Sequence, residues 1–523
     1  MCQGAIAPYG RDVNAPKSPE NSPASHDANW EWAVGLSVLF ILLRLAAIRL
    51  SPLQLYPDEA QYWLWSRQLD FGYFTKPPLI AWLIRATTIW GDAEPMVRLS
   101  SPLLHGAAAL FLFCAARRLY DSRVGLASLL VYALMPAVQL GSFVMTTDTP
   151  LVACLAGALW AYAAMQPREG HTGEGKHWRA AAGLGVALGF GFLAKYAALY
   201  AVIGIVAHAA LSRDARRAWT WQAIVAAVIA FAVLAAPNLV WNAVHRFASF
   251  GHLKQEAAWG ARHGGVMEAL GFLGSQFGVF GPVPFAVLLG GAIWLGVRKK
   301  LQSADVLLLS WAAPALLIVL VQAFMAGAKA NWAVAAFAPG SILVAAWMLR
   351  WGRPRLLAAG LAVQAVLALG GLAVVTAPQL ADGIGLSNAL KGVRGGREQA
   401  ELIIGRARAE QLAGPLTAVA IDERELFNLV AYYGRSYFGQ DGPPLRAWLA
   451  GPYPQNQAEL ASPLTGADGA RVLAVSRDGV HTKTMRAQFQ SDGETELATI
   501  WIDRKHQRKL ELFTAQGFEP PKR

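Results

Sequence analysis

A chain of 523 residues that is 55% hydrophobic, holds 19 Trp and is only 15% charged is too apolar for a soluble enzyme of this size. Its formal net charge of +12 does not point to nucleic acid, because Lys and Arg stand singly or in triplets between apolar runs and not together on one polar face. Its 3 cysteines, Cys2, Cys114 and Cys154, offer neither a metal-ligand spacing nor a disulfide framework.

In chain order, residues 1–28 are rich in Pro, Ser, Asn and Ala and lack the apolar core of a signal peptide, so they read as a disordered cytoplasmic tail. Apolar runs then fall near 31–50, 99–119, 124–142, 149–165, 180–194, 196–211, 220–240, 267–297, 304–325, 331–349 and 355–376. Each suits the ~20 helical residues that cross a hydrocarbon core of about 30 Å. They predict a polytopic α-helical membrane domain over 29–376 with roughly eleven spans, 180–211 being readable as two spans or one broken helix. After 377 the composition becomes that of a soluble domain with near-balanced charge, extending to 523. There 416–422 and 471–476 read as buried strands and 423–433 as a helix, which predicts a small α/β domain.

Basic residues recur at alternate connections: Arg117, Arg118 and Arg123; Arg168, Lys176 and Arg179; Arg213, Arg216 and Arg217; Arg298, Lys299 and Lys300; Arg350, Arg353 and Arg355. The positive-inside rule assigns these to the cytoplasm. The opposite connections hold 58–98, Asp148, Lys195 with Tyr196, 241–265 and 329–332, so the chemically suggestive residues share the external face. An odd number of spans puts the C-terminal domain there too.

The loop after the first span carries Tyr56-Pro57-Asp58-Glu59-Ala60-Gln61-Tyr62-Trp63 and Gly72-Tyr73-Phe74-Thr75-Lys76-Pro77-Pro78-Leu79. Its aromatics and prolines predict short helices lying in the interface plane. Asp58 suits a general base for an incoming hydroxyl, whereas Glu59 divides between a site role and a helix cap. Lys76, fixed between aromatics and prolines, suits a lipid phosphate, with snorkelling to headgroups as the plainer reading. Asp148 begins a helix and divides evenly between capping and the site. Lys195, beside Tyr196 at the edge of an apolar run, needs an anion or an aqueous cavity. Arg67, Arg98, Arg246, Lys254, Arg262 and Lys329 are weaker candidates, more readily headgroup contacts or structural pairs. His105, His208 and His245 share no ligand spacing and read as structural. The glycines of 183–189 read as close helix packing and not as a phosphate cradle. In the C-terminal domain Arg424, Arg435, Tyr432 and Tyr433 are candidates for guiding an acceptor.

The segments Pro57-Asp58-Glu59-x-x-Tyr62, Tyr73-Phe74-Thr75-Lys76-Pro77-Pro78-Leu79, Thr147-Asp148-Thr149-Pro150 and Phe192-Leu193-Ala194-Lys195-Tyr196 resemble the polyprenyl-phosphate-sugar-dependent glycosyltransferases of the GT-C fold. Within these the chain is similar, over roughly 31–350, to the glycosyltransferase 39 group. That group includes protein mannosyltransferase relatives, aminoarabinose transferases of lipid A and rhizobial lipid A or core galacturonosyltransferases. The resemblance implies an inner-membrane enzyme that takes a sugar from a polyprenyl phosphate carrier at the periplasmic face. It implies transfer, usually with inversion, to an envelope acceptor such as lipid A or lipopolysaccharide core. By the same resemblance Asp58 and Asp148 are the catalytic carboxylates and Lys76 contacts the carrier phosphate. The substrate-binding set is then Glu59, Tyr62, Lys76, Lys195, Tyr196 and Lys329. Two positions depart from the aminoarabinose pattern: Gln61 stands where an Arg is typical, and Thr75 where a Glu precedes the lysine. A neutral or acidic sugar fits these changes, and a uronic acid can use the remaining basic residues.

No cofactor is required by this chemistry, because lipid-linked phosphate is already a competent leaving group. The enzyme has to deprotonate the acceptor, neutralise the phosphate and align the two. A divalent cation between Asp58, Glu59 and Asp148 stays open. The expected partners are the lipid-linked donor, a lipid or glycan acceptor and membrane lipids, with no nucleic acid. A lipid or sugar transporter or flippase is the rival reading and would place its ionisable residues near the bilayer midplane. An envelope polysaccharide ligase shares the donor and differs in acceptor.

Overall fold

The computed structural model describes residues 28–167, 177–257 and 264–521. Nearly all of the expected N-terminal tail, with Cys2, lies outside the described residues, as do Arg168, Lys176, Arg262 and the side chain of Lys254. Among the described residues, 7 helices are long and apolar enough to cross a membrane: Asn29–Leu50, Glu94–Leu119, Asp148–Met165, Trp221–Val244, Ser303–Ala326, Ala330–Arg350 and Pro354–Thr376. The pair Ser122–Ala133 and Pro136–Phe143 makes an eighth crossing if counted as one, bent by 58°. The bend has a local cause: Met135 precedes a proline and is driven out of the helical region to ψ 132°.

The other apolar runs resolve into shorter helices. The stretch 180–211 forms two, His177–Ala194 and Tyr196–Leu211, separated at Lys195, whose backbone is extended at φ −164° and ψ 135°. The run at 267–297, expected as one span, is also two helices, Val266–Val279 and Pro282–Val297. Gly281 breaks it with φ 105°, a conformation that side chains rarely adopt, and Pro282 then starts the next helix. Small residues bring helices together, as where Gly185 lies against the backbone carbonyl of Ala227.

The loop after the first span contains two short α-helices, Pro57–Arg67 and Leu79–Thr87, and the turn Glu94–Arg98 then opens the second span. Pro57 opens the first of them, and the Glu59 carboxylate turns back to accept the Tyr56 N–H at 2.9 Å. Glu59 is completely buried and takes a forked pair of hydrogen bonds from Arg98, at 2.9 and 2.8 Å. It also accepts the Met145 N–H at 2.9 Å, just before Asp148. Arg98 donates further to the carbonyls of Leu53 (3.1 Å) and Gln54 (2.7 Å). One desolvated carboxylate thus joins the loop helix, the start of the second span and the 145–148 turn. Such a pair is tolerable in the interior only because its acceptors and donors are matched.

The C-terminal domain is built on β1 (Ala418–Ile421), β2 (Leu445–Ala447), β3 (Val472–Arg477), β4 (Phe489–Asp492), β5 (Glu496–Trp501) and β6 (Gln507–Phe518). The order is β2-β1-β3-β6-β4, with β5 also on β6. β1, β2 and β3 are parallel, Val419 standing opposite Leu445 and Leu473. β6 runs antiparallel to β3, and β4 and β5 share its other edge end to end. β1 is wholly apolar because both its faces are covered. Val419 and Ile421 pack with Ile403 and Leu426, and Ala418 and Ala420 with Trp448 and Phe513. The strands and helix expected from the sequence correspond to β1, β3 and the helix Arg424–Tyr433.

That helix seats the domain on the loop helix Pro57–Arg67. Leu429 and Tyr432 are buried with Tyr62 and Trp63, and Trp63 meets Tyr432 edge-on at 5.0 Å. Tyr432 donates its hydroxyl to the Asp92 carbonyl (2.5 Å), and Tyr433 accepts the Leu55 N–H (2.7 Å). Burial pushes both phenol pKa values well up, so both hydroxyls stay neutral, Tyr432 as donor and Tyr433 as acceptor.

Replacing Glu59 by Ala leaves Arg98 buried without its counter-charge, which costs about 3–5 kcal/mol. The expected outcome is a fall of several degrees in the unfolding midpoint of the detergent-purified protein, followed by Trp fluorescence. An unchanged midpoint would show that the pair does not hold these segments together.

Candidate active site

Lys76 sits at the end of a tightly clamped turn. The Tyr73 N–H donates to the Lys76 carbonyl (3.1 Å), and the Tyr73 ring stacks on Trp65 at 4.6 Å. Burial raises the Tyr73 pKa. Gly72 is needed because the Trp241 ring occupies the space of a Cβ. Asn238 donates to the Phe71 carbonyl (2.6 Å), Trp241 to Asp70 (2.7 Å) and Ser249 to the Tyr73 carbonyl (2.8 Å). The Phe74 N–H in turn reaches Gln457 of the C-terminal domain (2.8 Å).

Held in this way, Lys76 lines a cavity of about 350 Å³ together with Lys195, Tyr196, Tyr200, Phe250 and Trp332. Ile203, Ile318 and Val319 supply apolar wall. Two ammonium groups beside an aromatic and aliphatic lining suit a molecule with an anionic head and a hydrocarbon tail. The Tyr196 hydroxyl donates to Asn238 (3.1 Å) and accepts from Asn242 (3.1 Å), while its ring stacks on Phe250 at 4.8 Å.

Lys195 projects from the helix break and places its Nζ 2.6 Å from Asp148 Oδ1. Asn331 donates to the other carboxylate oxygen, also at 2.6 Å. The two charged side chains are only 22% and 17% exposed. Asp148 and Asn331 face a second cavity of about 360 Å³, lined by His105, Thr146 and Thr149 and by apolar residues such as Leu140 and Val334. The ion pair therefore stands between two cavities. Both Asp148 oxygens are thus engaged, one by Lys195 and the other by Asn331. Lys329 is exposed, two residues before Asn331 and outside both described linings.

Asp58 lies in the first turn of Pro57–Arg67, with its side chain 43% exposed. Arg424 Nη2 approaches its Oδ1 at 3.7 Å, and Arg424 Nη1 donates to Gln61 Oε1 at 3.1 Å. Asn428 donates to the same Gln61 oxygen at 3.3 Å. Two residues expected at the substrate lie elsewhere: Glu59 is sealed against Arg98, and Tyr62 is buried and packs on Trp65 at 5.3 Å. The reason is helical geometry, since Glu59 and Tyr62 fall on the inward face that Asp58 does not share. Asp58, Glu59 and Asp148 each meet a different cation, and do not converge as a metal site would require. Among the described residues no group of three or more His, Cys, Asp or Glu could hold a metal ion.

Of the weaker candidates, Arg67 pairs with Asp92 at 3.0 Å and Arg98 with Glu59, both structural. His105 and His208 pair with Tyr132 (2.8 Å) and Tyr162 (2.9 Å), and His245 contacts the Trp241 carbonyl (2.8 Å). Asn331, Asn238 and Asn242 escaped the reading of the sequence. For Asn331 the available signal was its place in the same connection as Lys329.

Residues 75–241, which span Lys76, Asp148, Lys195 and Tyr196, match the family profile described as dolichyl-phosphate-mannose-protein mannosyltransferase. Lipid A galacturonosyltransferase RgtD of Rhizobium johnstonii is 35% identical over 332 residues, or 63% of this chain and 68% of that protein. The chain belongs to the ArnT-like glycosyltransferases of the glycosyltransferase 39 group. Lipopolysaccharide core galacturonosyltransferase RgtA of the same organism is 27% identical over 289 residues, covering 51% of this chain and 55% of its own length. Among solved structures, apo ArnT from Cupriavidus metallidurans aligns with a TM-score of 0.62 at 16% identity, covering 93% of this chain and 98% of that one. The same ArnT bound to undecaprenyl phosphate aligns with a TM-score of 0.63 at 16% identity, covering 92% and 98%. This likeness fixes the fold as ArnT-like GT-C with its C-terminal domain included. The protein is a multi-pass membrane glycosyltransferase.

In this arrangement Lys195→Met removes a cation from the cavity and is expected to lower turnover about 100-fold or more. Asn331→Ala loosens only the carboxylate behind it and should have a smaller effect of the same sign. Steady-state transfer assays on the two purified variants check the ranking, and equal losses would contradict it.

Proposed function

We propose that the protein transfers a galacturonosyl residue from a polyprenyl phosphate carrier to lipid A at the periplasmic face of the bacterial inner membrane. The observation that carries the donor class is the meeting of Lys76 and Lys195 in one cavity whose remaining wall is aromatic and aliphatic. The sugar and acceptor rest on the 35% identity to a lipid A galacturonosyltransferase. Five basic connections on the opposite side of the spans support the orientation.

The donor phosphate sits between the two ammonium groups, and its prenyl chain follows Ile203, Ile318 and Val319 towards the lipid. Tyr196 lines the same cavity, and Lys329 stands outside it in the connection that supplies Trp332 to the wall. Asp58, the accessible carboxylate of the loop, accepts the proton of the acceptor hydroxyl as that oxygen attacks the anomeric carbon. The bond from that carbon to the phosphate oxygen breaks on the opposite face, which inverts the configuration. The electron pair leaves with polyprenyl phosphate, where Lys76 and Lys195 neutralise the added charge. Asp148 keeps Lys195 aimed at that phosphate.

Asp58→Asn keeps the side-chain shape and removes the base, so transfer should fall about 100-fold or more. Mass spectrometry of lipid extracts from cells carrying this variant should show uronic acid missing from lipid A and a polyprenyl-phosphate sugar accumulating. Unchanged profiles with the protein present in the membrane would overturn the reading. Lys76→Ala should raise the KM for donor as well as lower turnover.

A further inference from the structure

We infer that Arg424, contributed by the C-terminal domain, binds the carboxylate of the donor's uronic acid beside Asp58, an inference that rests on the galacturonosyl reading above. Arg424 directly follows the Asp422-Glu423 connection at the carboxyl end of β1 and opens the helix Arg424–Tyr433. Leu429, Tyr432 and Tyr433 lock this helix on the loop helix that carries Asp58. The guanidinium is therefore held at a fixed place relative to the base, although 366 positions separate Asp58 from Arg424 in the chain.

The charges around it are distributed in a telling way. The acidic neighbours Glu423 and Glu425 are both taken by Arg477, at 2.9 and 3.2 Å. Glu423 also accepts the N–H groups of Glu425 and Leu426, at 2.9 and 2.8 Å. Arg435 lies over the ring of Tyr432 at 4.5 Å and donates to the Tyr432 carbonyl at 2.6 Å. Arg424 by contrast gives one hydrogen bond to the neutral Gln61 (3.1 Å), and Asp58 at 3.7 Å is beyond hydrogen-bond length. It is one-third exposed. Its fork retains donors suited to a planar carboxylate.

A hexuronic acid carries its carboxylate a few bonds from the anomeric carbon, the atom next to which the general base must stand. Two carboxylates so placed repel each other in a partly desolvated site. A guanidinium shared between them removes the conflict, and the neutral Gln61 steadies that guanidinium without competing for the anion. A donor whose sugar is uncharged gains nothing from this arrangement.

The test uses the full-length protein in nanodiscs with lipid A as acceptor and two donors on the same carrier, polyprenyl-phosphate galacturonic acid and polyprenyl-phosphate galactose. Where galactose is not transferred, the inhibition constant of its carrier against the first donor replaces its KM. Failure of the unaltered protein to transfer galacturonic acid overturns the functional reading itself, whatever Arg424 does. Given that transfer, Arg424→Gln should lower kcat/KM for the galacturonosyl donor about 10- to 100-fold, mostly through KM, and change the galactosyl value little. Arg424→Lys should recover only part of the loss, because it restores charge but not the fork. Equal losses on both donors, as misfolding or a purely structural role would give, or no loss on either, overturn the inference.

Discussion

A carboxylate that no water reaches keeps its charge only if a cation is fixed against it, and the Glu59–Arg98 pair meets that condition where three segments cross. Because neighbouring residues on a helix point about 100° apart, turning Glu59 inward turns Asp58 away from the interior. The buried member of the doublet thus sets the aim of the accessible one. The same carboxylate accepts the N–H of Met145 and so fixes the turn that delivers Asp148. Both acidic residues proposed to act in transfer take their positions from a third that is sealed in the interior.

The lysines depend on irregular backbone in the same way. A continuous helix through 195 would carry its side chain round the helix surface, whereas the extended residue there frees the ammonium to reach Asp148 and the cavity at once. Lys76 is placed by a turn whose flanking groups are tied to the Trp221–Val244 helix, to Ser249 and to Gln457. Cationic groups held by rigid surroundings lose little freedom when an anion arrives, which is what makes them effective against a developing phosphate charge.

Much of this was legible in the sequence, for identifiable reasons. Lys76, Asp148 and Lys195 stood out because a charge at the edge of an apolar run has few inexpensive explanations, and β1 and β3 because uninterrupted apolar strands need cover on both faces. Asp58 reads as the better base, but for Glu59 a site role and a helix cap stay equally open in the sequence, since only its burial against Arg98 decides between them. Hydropathy already divided the chain at Lys195, between the runs 180–194 and 196–211, but it read 267–297 as one span, because the break at Gly281 depends on a backbone angle. The Gln61–Arg424 contact joins residues 363 positions apart and leaves no trace in either neighbourhood. Gln61 read as the loss of a cation, and in the folded chain it is the seat of one.

The contacts of Gln457 with Phe74, of Tyr433 with Leu55 and of Gln54 with Gly396 (2.7 Å) all join the early loop to residues more than 300 positions later in the chain. The membrane spans can pack as they emerge, but the Lys76 turn and the surroundings of Asp58 lack their final supports until the C-terminal domain has folded over them. Assembly of these surroundings therefore waits for the C-terminal domain. A chain cut short before β1 keeps the sequence of every apolar run yet lacks the contacts that hold the loop of Asp58 and Lys76.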